Sequence, residues 1–368
     1  MANSIGVSKT ALYRHFESKA EIEDAMNEEL YAEIKSKIES LSFDIKKPVD
    51  RRNLRRTITL FLREHQGYLF LLMDHFFSDD NYAASLFERL ARESPESTGF
   101  MSSISSMSFE GQKQMLISIL KNWISILLAS FRIEGLDSNQ ERLLDVLENG
   151  IPRLEMPDEK RIKELEALSN IESAELRESN RLFGAIAASI HQYGVQDTTI
   201  ETIAEKMGTA KSSLYFYGKN KDAMLKDLIK SETETILGLC AKRADSGKTL
   251  AEQIFILMMV HANYLLMKPD IIPVFNWIRA ETIKRKTVPP GDRPDMARLL
   301  ESYRIGELYS DGNDKTDKMM YAEMTISWAS VLSTSCIIFG KKQGLDNASL
   351  RKNIYIMFES MMKGDNKS

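Results

Sequence analysis

The sequence predicts an all-α fold, and three observations support this prediction. Apolar residues recur at helical spacing in segments such as residues 54–77, LRRTITLFLREHQGYLFLLMDHFF. The regular alternation of apolar and polar residues that would indicate strands is not evident. The 368 residues include only 9 prolines and 18 glycines, so few residues interrupt helices. A chain of this length has room for two or more domains, each with its own core.

The chain contains an internal repeat of domain size. The segment MANSIGVSKTALYRHFESK at residues 1–19 aligns without a gap with IAEKMGTAKSSLYFYGKNK at residues 203–221. Further along, EGLDSN at 134–139 resembles QGLDNA at 343–348, and the changed offset requires only small insertions or deletions. Repeats of this length are too long for a solenoid unit, so the pattern predicts a tandem duplication of one whole protein.

The duplication predicts five consecutive regions. Gly150 and Pro152 end a helix of the first copy, and the charged segment that follows is typical of a solvated connector. The predicted regions are an incomplete head of the first repeat at residues 1–40, its helical body at 41–155, a charged helical linker at 156–177, the head of the second repeat at 178–227 and its helical body at 228–368.

The second copy shows a complete head of four successive helices. Leu182, Ile186 and Ile190 mark the inner face of the first helix, which Gly194 ends. The group Thr198-x-x-Glu201 predicts a capping box at the start of the second helix.

A tight turn and a short third helix are expected next. Gly208 provides the backbone freedom for the turn, and residues 209–217 read as a helix. This order defines a helix-turn-helix, whose second helix can lie in the major groove of DNA. In the first copy the matching helix reads SKTALYRHF, and Ser18-x-x-Glu21 predicts a capping box at the start of the fourth helix.

These residues carry a family resemblance. Both copies resemble the N-terminal DNA-binding domain of TetR-family transcriptional regulators, with its pattern IA…GVSK…LY.HF.SK. The first copy lacks the first helix and the beginning of the second, because Met1 aligns with Ile203. Two explanations stay open: a truncated chain or misassigned start codon, and a genuine loss that leaves this head without a closed core.

The resemblance implies which residues contact DNA. Most such contacts go to phosphates and only a few read bases. Thr199, at a helix start, is expected to help hold a phosphate oxygen. The predicted DNA-binding set is Ser8, Lys9, Thr10, Tyr13, Arg14, His15, Lys19, Thr199, Thr209, Lys211, Ser212, Ser213, Tyr215, Tyr217 and Lys221.

The second copy departs from the family pattern. Gly218 stands opposite Phe16, which removes an aromatic anchor, and Phe216 stands opposite Arg14. These departures predict weaker or different DNA binding by the second head.

The helices after each head are expected to form the regulatory bodies. In TetR-like proteins such helices provide a ligand-binding core and a dimer interface, so the resemblance implies an intramolecular pseudo-dimer. The predicted bundle helices are residues 111–131 with 138–151, and 318–340 with 347–362. The residues predicted to contact a small-molecule effector are Phe70, Trp123, Phe131, Met258, Met259, Tyr264, Trp277 and Trp328. The alternative role for each of them is plain core packing.

The sequence offers little support for an enzyme, a cofactor or a metal site. The five histidines show neither H-x-x-x-H nor E-x-x-H spacing. The stretch DSGKT at 245–249 resembles the end of a phosphate-binding loop, but Lys242 stands where the loop requires a glycine. Thr249-x-x-Glu252 predicts a helix cap there instead.

Composition and charge indicate a cytoplasmic protein without a membrane partner. The net charge of -4 and the pI near 5.9 argue against a uniformly basic surface but allow a local basic face. Cys240 and Cys336 form neither a C-x-x-C pair nor a disulfide framework, as in reduced intracellular proteins. The sequence shows neither the charged and then apolar leader of a signal peptide nor the run of about 18 apolar residues of a transmembrane helix.

Together these patterns predict a sequence-specific transcriptional regulator, with a ligand-responsive repressor as the expected form. Its partners would be a double-stranded DNA operator and an unidentified small-molecule effector, and further self-association is left open. The half-sites need not match, since the two recognition helices differ, but should lie about 34 to 36 Å apart. The alternative is a helical ligand-sensing or protein-interaction protein that kept the fold and lost DNA binding.

Overall fold

The computed structural model shows a helical protein with two compact units, residues 1–108 and 109–368. The residues that it describes are 15–40, 47–65, 67–69, 71–72, 86, 89, 92–93, 137–176, 181–272, 274–275, 294–308, 315–342 and 344–364. Over these ranges the chain forms helices and turns and no strand, which confirms the predicted all-α class.

In its described part, the first unit contains helices α1 (Lys19–Ser40) and α2 (Pro48–Glu64), which pack against each other. The oxygen of Ser18 accepts a hydrogen bond from the N–H of Glu21 at 3.1 Å, so the Ser18 half of the predicted capping box is confirmed. The other half was wrong, because the Glu21 carboxylate accepts from the N–H of Glu17 and a capping box places this bond on the N–H of Ser18. The buried apolar side chains of these helices include Leu30, Ile34, Ile58, Phe61 and Leu62.

The second unit holds a small head and a larger helical body. Its described helices are α3 (Asp137–Asn149), α4 (Glu159–Leu168), α5 (Arg181–Asp197), α6 (Ile200–Met207), α7 (Lys211–Leu214), α8 (Lys221–Ala244), α9 (Leu250–Met267), α10 (Pro294–Glu301), α11 (Lys315–Lys342) and α12 (Asn347–Lys363). The head consists of α5, α6, α7 and the start of α8.

Helix α9 is the centre of the body. Every residue from Leu250 to Leu265 is buried, and helices α4, α8, α11 and α12 pack around it. A helix that is apolar on all sides requires such an enclosed position. The Thr249 hydroxyl oxygen accepts a hydrogen bond from the N–H of Glu252 at 3.3 Å, which confirms the predicted cap.

Two of the described helices are long and apolar enough to cross a membrane by length and composition, although no such stretch was predicted from the sequence. They are Leu250–Met267 and Tyr321–Lys341, and 89% and 72% of the residues in the 18-residue apolar window of each are buried inside the protein. Burial of this extent is typical of helices in the core of a helical domain. The apolar character of both segments is thus explained by the body that they form.

The charged segment predicted to be a linker is docked on the body of the second unit. Helix α4 buries Ile162 and Leu165, which lie on one face at a spacing of three residues. The Arg161 guanidinium donates to both carboxylate oxygens of Glu252, at 3.1 and 2.8 Å. The expectation of a solvated connector was therefore wrong for this helix, because two apolar residues on one face are enough to direct a charged helix onto a core.

Candidate nucleic-acid interface

The turn between α6 and α7 has the geometry of a helix-turn-helix. Gly208 follows α6 with φ 64° and ψ 39°, a left-handed conformation that glycine adopts without a steric penalty. The N–H of Thr209 donates to the carbonyl of Ala204 at 3.0 Å. The predicted turn is confirmed, but the third helix is shorter than the predicted 209–217, because turns replace the helix after Leu214.

Helix α6 begins one residue later than predicted. Thr199 is its cap: the Thr199 hydroxyl oxygen accepts from the N–H of Thr202 at 3.2 Å, and the Thr202 hydroxyl oxygen accepts from the N–H of Thr199 at 3.0 Å. Thr198 is buried, and its hydroxyl donates to the carbonyl of Gly194 at 2.7 Å. The predicted Thr198–Glu201 capping box was wrong, since Thr202 takes the role assigned to Glu201.

Glu201 instead pairs with Lys211 across the turn. The Lys211 ammonium donates to a carboxylate oxygen of Glu201, which joins the first turn of α6 to the first residue of α7. This hydrogen bond lowers the pKa of Glu201 and raises the pKa of Lys211. The side chains are 59% and 49% exposed, so the ion pair lies at the surface. The sequence pointed to Lys211 and missed Glu201, because two adjacent threonines allow two registers of the cap.

The head has a closed apolar core. Helix α5 leaves helical geometry at Gly194, as predicted. A Cβ atom on Gly218 would lie only 2.9 Å from Cγ of Met224, which is fully buried, so Met224 fills the space next to this glycine. The buried side chains include Leu182, Ile186, Ile190, Ile203, Met207, Leu214 and Met224.

Hydroxyl and aromatic side chains cover the outer face of α7 and the turn after it. Ser212 is exposed, Tyr215 and Tyr217 are about half exposed, and Phe216 is 93% exposed. Hydroxyl groups can donate to phosphate oxygens and base edges, whereas an apolar ring can contact a thymine methyl group. This face therefore offers both kinds of contact that duplex DNA requires.

The other residues predicted for the second head lie in the same group of helices. Thr199 caps α6, and Thr209 and Ser213 are partly exposed in the turn and in α7. Lys221 begins α8, whose cap is the Asn220 side chain, an acceptor for the N–H of Ala223 at 2.9 Å.

Most of the contacts predicted for the first copy lie outside the described residues. His15 is exposed in a turn, and Lys19 begins α1. The residues not described are Ser8, Lys9, Thr10, Tyr13 and Arg14.

The body of the second unit contains a cavity of about 80 Å³ beside α8. Four of its eight lining residues are apolar and four carry polar side chains. The imidazole of His261 donates from Nδ1 to the carbonyl of Leu257 at 2.9 Å, which orients the ring. The lining residues are Thr233, Ile236, Leu237, His261, Leu265, Phe275, Ser330 and Thr334.

This cavity is not lined by the residues predicted to bind a ligand. Met258, Met259, Tyr264 and Trp328 are all buried in the packed core of the body. Helical periodicity identifies which residues are buried, but not where packing leaves space. The other four, Phe70, Trp123, Phe131 and Trp277, lie outside the described residues.

The body of the second unit also contains a largely buried ionic cluster. The Lys268 ammonium lies 2.7 Å from each carboxylate oxygen of Glu232, and the Tyr264 hydroxyl also donates to this carboxylate. The Glu232 and Lys268 side chains are 7% and 17% exposed. Lys268 precedes the short 3₁₀ turn Pro269–Ile271, which packs against α5 of the head. The cluster thus joins α8 to α9 beside the contact between head and body.

The fold and this surface define a helix-turn-helix head on a helical body, an arrangement that binds duplex DNA through its second helix. Residues 182–228 match the family model described as bacterial regulatory proteins, tetR family. The match extends from α5 into α8 and supports a TetR-type transcriptional regulator. None of the curated proteins matches the chain.

Proposed function

We propose that the protein is a sequence-specific, ligand-responsive repressor built from two TetR-like units in one chain. One observation carries the DNA-binding part: the helix-turn-helix of α6 and α7 exposes Lys211, Ser212, Tyr215 and Tyr217 within the segment that matches the tetR family model. The proposed partners are a double-stranded DNA operator and a small-molecule effector.

Helix α7 is the element that would enter the major groove. Residues early in a recognition helix contact base edges, and the neighbouring helix crosses the DNA backbone. Lys211 and Ser212 are accordingly assigned to base edges. Tyr215, Tyr217 and Thr199 are assigned to phosphates, where they fix the orientation of the head without reading sequence.

The contact between α3 and α12 supports a pseudo-dimer. These are the last helices of the two predicted copies, and they pack against each other. A Cβ on Gly150 would lie 1.9 Å from the carbonyl oxygen of Met362, and a Cβ on Gly364 would lie 2.3 Å from the nitrogen of Gly150. The N–H of Ile151 donates to the carbonyl of Met361 at 3.2 Å. Close contact between equivalent helix ends is expected where two copies meet about a pseudo-twofold axis.

The cavity beside α8 supports control by an effector. Helix α8 runs from the head at Lys221 into the body, where Thr233, Ile236 and Leu237 line the cavity. An effector that binds one position of α8 better than another would shift the head with it. The effector pocket is accordingly assigned to this cavity, and its opening is expected to accompany binding.

Selection of bound duplexes from a random DNA library at fixed salt tests the proposed DNA binding. The wild-type chain is expected to enrich two half-sites about 34 to 36 Å apart, one turn of DNA. The variant Lys211→Ala, Tyr215→Ala should lose this enrichment, because it removes a base contact and a phosphate contact. Lys226→Ala is the matched control, since Lys226 is exposed on α8 beyond the helix-turn-helix.

The mass of the protein–DNA complex tests the pseudo-dimer separately. One chain bound across two half-sites supports it, whereas two chains per site contradict it. A wild-type chain that melts cooperatively and enriches no duplex contradicts DNA binding itself.

A protein-interaction role is the second candidate function, and the exposure of Phe216 favours it. A large aromatic side chain at the tip of the head is the kind of residue that anchors protein interfaces. In this case the folded chain would enrich no DNA sequence, and Phe216→Ser would weaken binding to the partner protein. The duplex selection therefore separates the two candidates.

A further inference from the structure

The Glu201–Lys211 pair lies where a helix-turn-helix reads base edges. Lys211 is the first residue of α7, and the early residues of a recognition helix face the base edges of the major groove. Glu201 lies in the first turn of α6 and accepts a hydrogen bond from the Lys211 ammonium. Both side chains are about half exposed, so the pair is accessible from solvent.

The pair places hydrogen-bond donors beside acceptors. An ammonium group has three N–H donors, and one of them bonds the Glu201 carboxylate. An ionised carboxylate has about four acceptor positions on its two oxygens. The ammonium and the carboxylate can therefore keep their mutual hydrogen bond while the ammonium donates to one atom of a base pair and the carboxylate accepts from a neighbouring one.

The major-groove edge of a G·C base pair has the complementary pattern. Guanine presents N7 and O6 as acceptors, and cytosine presents its N4 amino group as a donor beside them. Lysine donates to guanine N7 and O6, and glutamate accepts from cytosine N4. An A·T pair shares the purine N7 acceptor, but it places the adenine amino donor opposite the second free N–H of Lys211 and the thymine O4 acceptor opposite the Glu201 carboxylate.

The carboxylate also disfavours contact with the DNA backbone. Binding to any sequence depends on cations that neutralise phosphates, and a glutamate beside Lys211 cancels part of that attraction. A lysine held in this way contributes less to binding at random sites than a lysine alone. Such a lysine contributes to DNA binding mainly through the base edge that it contacts.

We propose that Glu201 and Lys211 act together as a specificity-determining element that reads one G·C base pair in the half-site bound by the second head. This inference rests on the proposed function, since it requires that α7 enter the major groove. It assigns a role in DNA recognition to an acidic residue, which a search for cations and hydroxyl groups alone would overlook.

Selection experiments with Glu201→Gln and Lys211→Met test the inference. The wild-type chain should enrich G·C at one position of the half-site. In Glu201→Gln the preference for G·C over A·T at that position should fall by roughly 5- to 150-fold, while preferences elsewhere persist. Lys211→Met should lose the same preference. Glu205→Gln is the matched control, because Glu205 is an exposed acid on the same helix.

The outcomes distinguish the inference from the function on which it rests. If the wild-type chain and Glu201→Gln enrich the same half-site with the same preference at every position, the inference is overturned while DNA binding stands. If Glu201→Gln weakens binding to all sequences equally, the pair has only a structural role, and the inference is also overturned. If the folded wild-type chain enriches no sequence, the proposed function itself fails.

Discussion

The head and the body of the second unit each contain a lysine–glutamate pair, and the two pairs differ in their surroundings. Glu201 and Lys211 are about half exposed on the head, where water screens their attraction and such pairs contribute little to stability. Glu232 and Lys268 are nearly buried in the body, where Tyr264 completes the hydrogen bonding of the carboxylate. Exposure therefore decides whether a pair can change partners, because an exposed pair can exchange its bonds for bonds to DNA.

The burial of the body pair makes its two charges dependent on each other. Removing one member of a buried pair leaves the other charge without compensation, which costs more than the pair itself contributes. The head pair has no such constraint, since water replaces either partner. The two pairs should therefore respond very differently to the same substitution of glutamate by glutamine.

The largest expected effect is the destabilisation of the body by Glu232→Gln. This change leaves the Lys268 ammonium without its counter-charge, at a cost of about 3 kcal/mol in the free energy of unfolding. For a unit of this size the melting temperature should fall by roughly 5 to 10 °C, measured by circular dichroism. Glu234→Gln is the matched control, because Glu234 lies two residues further along α8 and is only partly buried.

An unchanged melting temperature in Glu232→Gln would contradict the structural role of the cluster. It would also remove the contrast between the two pairs. A fall in Glu234→Gln as large as that in Glu232→Gln would show a general loss of charge on α8 and not the loss of a specific pair.

Glu175 is an intermediate case, because its contribution to the stability of the fold depends on pH. Lys242 donates to its carboxylate at 2.6 Å and Arg243 at 2.5 Å. The Lys242 hydrogen bond, with contributions from the Glu172 N–H and Arg243, lowers the pKa of Glu175 from 4.5 to about 2. A lowered folded-state pKa adds stability that is present above pH 4.5 and is lost as the pH falls through about 2.

Glu175→Gln should therefore flatten the pH dependence of stability. The variant should lose on the order of 1 kcal/mol at neutral pH, since solvent screens part of the interaction, and should lose less of its remaining stability than wild type between pH 4.5 and 2. Thermal melts across this range measure the effect. Glu155→Gln, an exposed acid in the preceding segment, should melt in parallel with wild type at every pH.

Several elements of the fold and site could be predicted from the sequence because their causes are local. Gly208 ends α6 in a left-handed turn, and Ser18 and Thr249 cap their helices, as the residue types at these positions require. The inner face of α5 followed from the helical spacing of its apolar residues. Each of these features depends on side chains within a few residues of one another.

Other features could not be predicted, because they depend on residues distant in the sequence. The docking of α4 depends on Arg161 meeting Glu252, and the ionic cluster depends on Glu232 meeting Lys268. The cavity beside α8 is the space left by three helices that the sequence does not position. Glu201 was assigned to the wrong cap for a related reason, since its true partner, Lys211, lies on the next helix.

The smallest expected effect concerns the stability of the head. Glu201→Gln and Lys211→Met should melt within experimental error of wild type, because both side chains face water and the core of the head lies elsewhere. A clear loss of stability in either variant would show that the pair fastens α6 to α7. That result would weaken the contrast with Glu232 and Lys268, since a fastening pair could not exchange its bonds for DNA without loosening the turn. Equal melting temperatures together with an altered base preference would instead separate recognition from stability at this one pair.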